Sequence, residues 1–155
     1  MSLAPVLPVE PGRSTDRVLP HDLLAEQSTL GAMLLSQEAM AEVFEFVNAK
    51  DFYAPKHEII FDALLSLYSM GEPTDVITVT DQLVKSGSLV RAGGADYLHT
   101  LTSTVPTAAN AAFYAKIVQE KATLRRLVEV GTRIAQLGYA NEGEVDALVN
   151  MAQED

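Results

Sequence analysis

Three histidines are the residues in this sequence whose side chains could support metal or acid–base chemistry. His57 is followed by Glu58, as in zinc proteases, but the position four residues after His57 is Phe61, where a second histidine ligand would be required. His21 and His99 lie far from His57 in the chain, and no other ligand type clusters around any of the three. We therefore predict no metal site, because isolated histidines are more often surface residues or hydrogen-bonded core residues.

No nucleotide-binding loop is found either. The pattern GxxxxGK[ST] does not occur in the 155 residues, and Gly93-Gly94 is followed by Ala-Asp-Tyr with no lysine. The absence of cysteine excludes thiolate nucleophiles, disulfides and cysteine metal ligands. We therefore predict that this chain is not itself an enzyme and binds no cofactor. A hydroxyl nucleophile with distant partners stays open, because the members of a triad can come from anywhere in a sequence.

Three polar residues inside predicted helices provide an alternative. Glu26, His57 and Asp62 could line the site of a small stand-alone helical enzyme or ligand-binding domain. Self-association would favour an assembly module over this alternative, which does not require a second copy.

Composition favours one folded domain. The chain is 48% hydrophobic with a mean hydropathy of +0.11, and no apolar run approaches the roughly 20 residues that span a bilayer. We expect a soluble, cytoplasmic protein with no membrane contact. The net charge of −10 argues against DNA binding by this chain alone, because such affinity depends on Lys and Arg contacts to phosphates. Residues 22–106 carry 12 acidic and 4 basic residues, whereas residues 110–137 carry 5 basic and 2 acidic ones, so the two parts could attract another copy.

Helical signals follow one another along the chain and predict an all-α fold. Residues 1–19 are proline-rich and without apolar periodicity, which indicates a flexible arm. Helices are predicted after the capping residues Asp22 and Ser36, and Gly31 within the first predicts a close helix crossing. Residues 54–70, with Pro55 at the start, have apolar residues on nearly every side and predict a central, enclosed helix. Shorter helices follow Asp75 or Thr78 and over residues 95–103.

The longest helical segment predicts a hairpin. Residues 107–137 contain no proline, Gly138 is predicted to end the helix, and another helix begins at Asn141 or Glu142. We expect a protruding antiparallel helical hairpin over residues 107–155, after a compact multi-helix domain over residues 20–106. Its apolar residues exceed what one hairpin seam can cover, so we predict pairing with a second chain. The residues predicted for that dimer interface are Tyr114, Ile117, Val118, Leu124, Leu127, Val128, Val130 and Ile134.

A series of short motifs resembles a known family. The series comprises Pro20-His21 with Ala25-Glu26-Gln27 and Leu30-Gly31, Asp51-Phe52-Tyr53 with His57, Ile60 and Phe61, Gly71-Glu72-Pro73 with Asp75, Ile77 and Thr78, Gly93-Gly94 with Tyr97-Leu98, and residues 106–110 with Tyr114. In this order and spacing the motifs resemble the N-terminal domain of the bacterial replicative DNA helicase, the DnaB type. The arm before Pro20 belongs to no shared pattern.

The resemblance implies a helical domain that assembles a helicase ring. In that family the N-terminal domains pair through their hairpins into a trimer of dimers, which binds primase and influences loading by a helicase loader. The ATPase motor, with its ATP and Mg²⁺, is a separate C-terminal domain reached through a linker helix, and the sequence ends before both. No catalytic residue is carried over. Tyr97, Arg125 and Arg126 are the candidates for docking these partners.

Overall fold

The computed structural model describes residues 18–140 and 144–154, and these ranges contain seven α-helices and no strand. The helices are α1 (Leu23–Leu35), α2 (Gln37–Phe44), α3 (Pro55–Ser69), α4 (Val76–Lys85), α5 (Gly94–Thr104), α6 (Ala111–Ala140) and α7 (Val145–Glu154). Short 3₁₀ turns occupy Ala49–Asp51 and Ala108–Asn110. The all-α prediction is confirmed. The predictions for the N-terminal arm up to residue 17 and for a helix start at residues 141–142 lie outside the described residues.

Side-chain caps begin the helices where the sequence predicted them. Asp22 accepts a hydrogen bond from the N–H of Ala25 at 2.9 Å, and Asp75 accepts one from the N–H of Thr78 at 2.9 Å. Ser36 both ends α1 and begins α2, with a longer contact of 3.4 Å to the N–H of Ala39. Because each such oxygen satisfies an N–H that has no partner inside the helix, these residues fix the helix starts locally.

The most enclosed helix is α1, and the prediction that α3 is enclosed on all sides is wrong. α1 packs against α2, α3, α5 and α6. It buries a nearly continuous run of residues from Ala25 to Leu34. In α3, Leu65 is 40% exposed, and Ile59 and Tyr68 are half-buried. Apolar residues on every side of a helix therefore do not require that a neighbour covers every side.

Gly31 is the position at which α1 and α5 cross, which confirms the predicted close approach. A Cβ atom added at Gly31 would lie 2.2 Å from the carbonyl oxygen of Leu101 and 3.2 Å from Cγ1 of Val105. Glycine is the residue that lets two helix backbones approach so closely, because it has no side chain at the crossing point.

The long helix α6 has two different halves. Its buried residues are spaced alternately four and three apart in the first half: Ala111, Ala115, Val118, Ala122 and Arg125. This narrow stripe packs against α1 and α2. Residues 111–125 therefore belong to the globular part, beyond the boundary that we predicted at residue 107. After Arg125 no described residue of α6 is buried.

The remainder of α6, residues 126–140, together with α7 forms what we call the distal arm. α7 contacts α6, as a helical hairpin requires. The helix does not end at Gly138, as predicted, but continues to Ala140. A single glycine costs a helix only about 1 kcal/mol, so the surrounding residues can carry the helix past it. Within the described ranges, no helix is both long enough and apolar enough to cross a bilayer.

Candidate functional site

Two features of the molecule could carry function: a buried polar network between α1, α3 and α5, and an exposed apolar surface on the distal arm. The centre of the network is a pair formed by Glu26 of α1 and His57 of α3, each 1% exposed. Oε1 of Glu26 lies 2.7 Å from Nδ1 of His57. Since a carboxylate only accepts hydrogen bonds, Nδ1 of the imidazole carries the proton in this contact.

The network continues to Tyr97 of α5. Nε2 of His57 lies 2.6 Å from the hydroxyl of Tyr97, so the unprotonated nitrogen accepts a hydrogen bond from that hydroxyl. The side-chain amide of Gln27 donates to the same oxygen at 3.2 Å. The two rings are stacked, with centroids 5.9 Å apart, and Nζ of Lys56 lies 3.7 Å from the centroid of the Tyr97 ring. The hydroxyl of Tyr97 is therefore committed inside the chain, while its half-buried ring stays a candidate for docking.

Glu26 also completes the start of α3. The residue before α3, Ala54, has no side chain that can cap a helix. Instead the two carboxylate oxygens of Glu26 accept hydrogen bonds from the N–H groups of Tyr53 at 2.7 Å and Ala54 at 3.3 Å. With His57 as its third partner, the carboxylate is fully hydrogen-bonded, which is the condition under which a buried charge is tolerated. The geometry is that of a structural link between α1 and α3.

The three residues of the alternative enzyme hypothesis do not come together. Glu26 and His57 are in contact, but Asp62 lies on the exposed side of α3. Since both network residues are 1% exposed, a substrate could not reach them without opening the domain. Among the described residues there is also no cluster of three or more side chains that could hold a metal ion.

Arg125, predicted as a docking residue, is instead 8% exposed and held inside the chain. Its guanidinium donates to the carbonyl oxygen of Pro20 at 2.8 Å and to that of Asp51. It also lies 5.6 Å from the centroid of the Tyr53 ring, which stacks on His21 at 4.1 Å. The residue therefore joins three segments: the start of the described chain, the connector before α3, and α6. Its spacing with the buried alanines of α6 is the sequence signal that could have revealed this role.

Arg126, the neighbouring docking candidate, lies on the surface. Its side chain is 60% exposed, with Nη1 3.4 Å from a carboxylate oxygen of Asp51 and Nη2 3.0 Å from the hydroxyl of Thr123. An ion pair this exposed contributes little to stability, so a partner could replace it at small cost.

The residues predicted for the dimer interface fall into two groups. Val118 is 1% exposed within the chain's own core, and Tyr114 and Ile117 are half-buried against that core, because this part of α6 packs on the globular domain. The second group lies beyond the globular contacts. Val130 is half-buried there, and the exposed members are Leu124 at 43%, Leu127 at 68%, Val128 at 44% and Ile134 at 41%.

The distal arm has further exposed apolar residues that the interface prediction did not include. Val145, Val149 and Met151 of α7 are 70%, 48% and 45% exposed. Val145 and Val149 are four residues apart on a helix, a spacing that could have identified them. Soluble monomers rarely expose many large apolar side chains in one place, so this surface is the strongest candidate for contact with another chain.

Comparison with known proteins gives a family and a structural neighbour. The model of the family described as "DnaB-like helicase N terminal domain" matches residues 18–120. The replicative DNA helicase DnaB of Leifsonia xyli subsp. xyli (strain CTCB07) is 72% identical over 141 residues, which cover 91% of this chain and 31% of that protein. The replicative DNA helicase DnaB of Mycobacterium leprae (strain TN) is 56% identical over 147 residues, which cover 94% of this chain and 24% of that protein. The chain thus spans about a quarter to a third of the length of these relatives.

The fold agrees with a solved structure. The crystal structure of the N-terminal domain of DnaB helicase from Mycobacterium tuberculosis superposes with a TM-score of 0.86 at 56% sequence identity. The match covers 88% of this chain and 96% of that one.

Proposed function

This chain belongs to the DnaB-like helicase N-terminal domain family, and from that premise we propose that it is the assembly and partner-docking domain of a replicative DNA helicase. The relatives that it matches are named replicative DNA helicases, and the chain corresponds to one part of them. The proposed parent protein unwinds duplex DNA at the replication fork using ATP, in the cytoplasm where the chromosome is copied.

The exposed apolar surface of the distal arm carries this proposal. Leu124, Leu127 and Val128 lie on one stretch of α6, and Ile134 follows a further turn or two along the same helix. Gly131, within this stretch, has no heavy atom within 4 Å of the position that a Cβ would take, so another helix could approach it closely. Pairing two identical arms about a two-fold axis covers both copies at once and forms a four-helix bundle. Three such dimers would form the ring of the parent protein.

The experiment for this proposal is a double substitution in the arm. Leu127→Glu with Val128→Glu places two charges in the proposed contact, and both side chains are exposed, so the chain should fold as a monomer. Light scattering coupled to size exclusion measures the mass over a concentration series. The matched control is Ile77→Glu with Val84→Glu on α4, at positions 80% and 57% exposed, which should leave the dimer intact.

Two results would contradict this arrangement. A double arm variant that stays folded and dimeric at micromolar concentration would remove the distal arm from the interface. Dissociation caused only by the α4 control would place the contact on the globular domain instead.

We propose further that the chain binds neither nucleotide nor DNA by itself. ATP and Mg²⁺ would act in the C-terminal domain of the parent, because the sequence here contains no phosphate-binding loop. The net charge of −10 disfavours contact with a phosphate backbone. Equilibrium dialysis with ATP and fluorescence anisotropy with labelled single-stranded DNA should both show no binding at micromolar protein. Saturable binding of either ligand would contradict this statement.

Primase and a helicase loader are the proposed docking partners. The half-buried ring of Tyr97 and the exposed guanidinium of Arg126 are the contacts that the structure leaves accessible among the three docking candidates. Tyr97→Phe keeps the ring and removes only the internally bonded hydroxyl, so a primase C-terminal fragment should bind it as tightly as it binds the unchanged chain. Tyr97→Leu removes the ring and should weaken that binding at least tenfold, in line with aromatic interface anchors. Equal affinities for all three chains would exclude Tyr97 from the contact.

A further inference from the structure

A small cavity lies on the globular domain, away from both features described above. Its volume is about 300 Å³, at the lower end of the range for pockets that bind small molecules. α3 and α4 form its walls together with residues 88–91, which follow α4. Ile59, Ala63 and Leu83 provide an apolar surface inside it.

Two opposite charges line this cavity without pairing with each other. Asp62 of α3 and Arg91 of the loop both contribute to the lining, yet within the described ranges neither forms an ion pair. The guanidinium of Arg91 has a fixed position, because its Nη2 donates to the hydroxyl of Ser88 at 3.2 Å. Ser88 itself is 9% exposed, so this contact anchors the cation at the wall of the cavity.

Neutral polar groups with unused hydrogen-bonding capacity lie between the charges. The hydroxyl of Ser66 and the side-chain amide of Gln82 line the same cavity. In the part of the chain that the structure describes, neither side chain makes a hydrogen bond. The cavity thus offers a cation, an anion, an amide and a hydroxyl around an apolar surface.

We propose that this cavity binds a small zwitterion with an apolar side chain, of the chemical class of the aliphatic α-amino acids. The carboxylate of the ligand pairs with Arg91, whose planar guanidinium suits a two-oxygen contact. The ammonium group pairs with Asp62, and the aliphatic side chain packs on Ile59, Ala63 and Leu83. The unpaired charges explain the need for both ligand charges, since a ligand with only one would leave the opposite group of the cavity without a partner.

Three probes with the same branched alkyl group test the charge requirement. L-leucine carries both charges, 4-methylpentanoic acid carries only the carboxylate, and 3-methylbutylamine carries only the ammonium group. Each is titrated into the ¹⁵N-labelled 155-residue chain at millimolar concentration and followed by amide chemical shifts. L-leucine should shift the amide signals around Ser66, Gln82 and Ser88, and each single-charge probe should bind at least about tenfold more weakly.

Two variants and two controls locate the site. Asp62→Asn and Arg91→Gln change exposed side chains, so the spectrum of the folded domain should be kept, and each should weaken L-leucine binding at least about tenfold. Glu45→Gln and Lys50→Gln change exposed charges elsewhere and should leave binding unaltered.

The proposal is overturned by any of three results. L-leucine may produce no saturable shifts, the two single-charge probes may bind as well as L-leucine, or both cavity variants may bind it with unaltered affinity. Because no distal-arm residue is changed, these results are independent of whether the chain dimerises.

Discussion

Replacing Gly31 by alanine tests how closely α1 and α5 approach each other. The added Cβ would lie 2.2 Å from the carbonyl oxygen of Leu101 and 3.0 Å from its carbonyl carbon. Since comfortable contacts between such atoms begin above 3 Å, the two helices must separate by roughly 1 Å. The obstacle is backbone within α5, which cannot rotate away as a side chain could. The change must therefore displace the whole of α5 or α1.

The size of the effect follows from two opposing terms. Overpacking of this kind costs about 1 to 3 kcal/mol, and a clash with helix backbone belongs at the upper end of that range. Alanine returns about 1 kcal/mol, because it is a better helix former than glycine. We therefore expect Gly31→Ala to lower the free energy of unfolding by about 2 kcal/mol.

Urea denaturation followed by circular dichroism measures this change. All chains are compared at one protein concentration, because self-association would otherwise shift the midpoint. The control is Gly138→Ala, where no heavy atom lies within 4 Å of the added Cβ and the residue is also inside α6. The control should gain up to about 1 kcal/mol. If Gly31→Ala also gains stability, the crossing of α1 and α5 is looser than described and the reasoning fails.

Three other substitutions test the core, the buried network and the Arg125 contacts. Phe61→Ala should cost about 3 to 5 kcal/mol because Phe61 is fully buried, whereas Leu65→Ala, at a residue 40% exposed, should cost under about 1 kcal/mol in the same urea experiment. Glu26→Gln keeps the shape but removes the charge that holds two backbone N–H groups and an imidazole, so thermal unfolding should show a loss of about 1 to 3 kcal/mol. Arg125→Met should leave two backbone carbonyl groups unpaired and speed hydrogen exchange near residue 51, while Arg126→Lys, at an exposed position, should not; equal exchange in both variants would contradict the assignment.

Local signals in the sequence were sufficient to predict where the helices begin. Asp22, Ser36 and Asp75 act through hydrogen bonds to N–H groups three residues ahead, so no knowledge of the rest of the fold is needed. Pro55 begins α3 for a similarly local reason, because a first-turn position needs no N–H donor. The close approach at Gly31 could also be predicted, but its partner α5 could not, since a glycine indicates nothing about which helix it faces.

The central position of α1 could not be predicted, because its buried residues include polar ones. Glu26, Ser28 and Thr29 suggest a solvent-facing side, yet all three are buried. Thr29 satisfies its hydroxyl within α1 by donating to the carbonyl of Ala25 at 2.7 Å. Glu26 depends on partners 27 to 31 residues away, which no local pattern can indicate. Hydrophobic periodicity therefore underestimates the burial of a helix whose polar groups are satisfied internally.

The candidate interface illustrates a different limit of periodicity. α6 has apolar residues along its whole length, and their spacing alone does not reveal which ones the chain covers itself. The small residues Ala111, Ala115 and Ala122 mark the covered half, because they allow close packing against α1 and α2. The larger Leu127 and Ile134 lie beyond that contact and stay exposed. Residue size along the helix, in addition to apolar character, separates the two halves.

The continuity of α6 connects these two halves mechanically. The helix is about 45 Å long if it is straight, and its first half is fixed by the alanine stripe and by the three segments that Arg125 joins. Because one unbroken helix continues into the distal arm, the direction of the arm is set by packing inside the globular domain. A second copy that binds the arm would therefore meet it in one orientation, without first having to order it. Preorganisation of this kind reduces the entropic cost of association, so a comparatively small apolar surface on the arm can support a stable pair of chains.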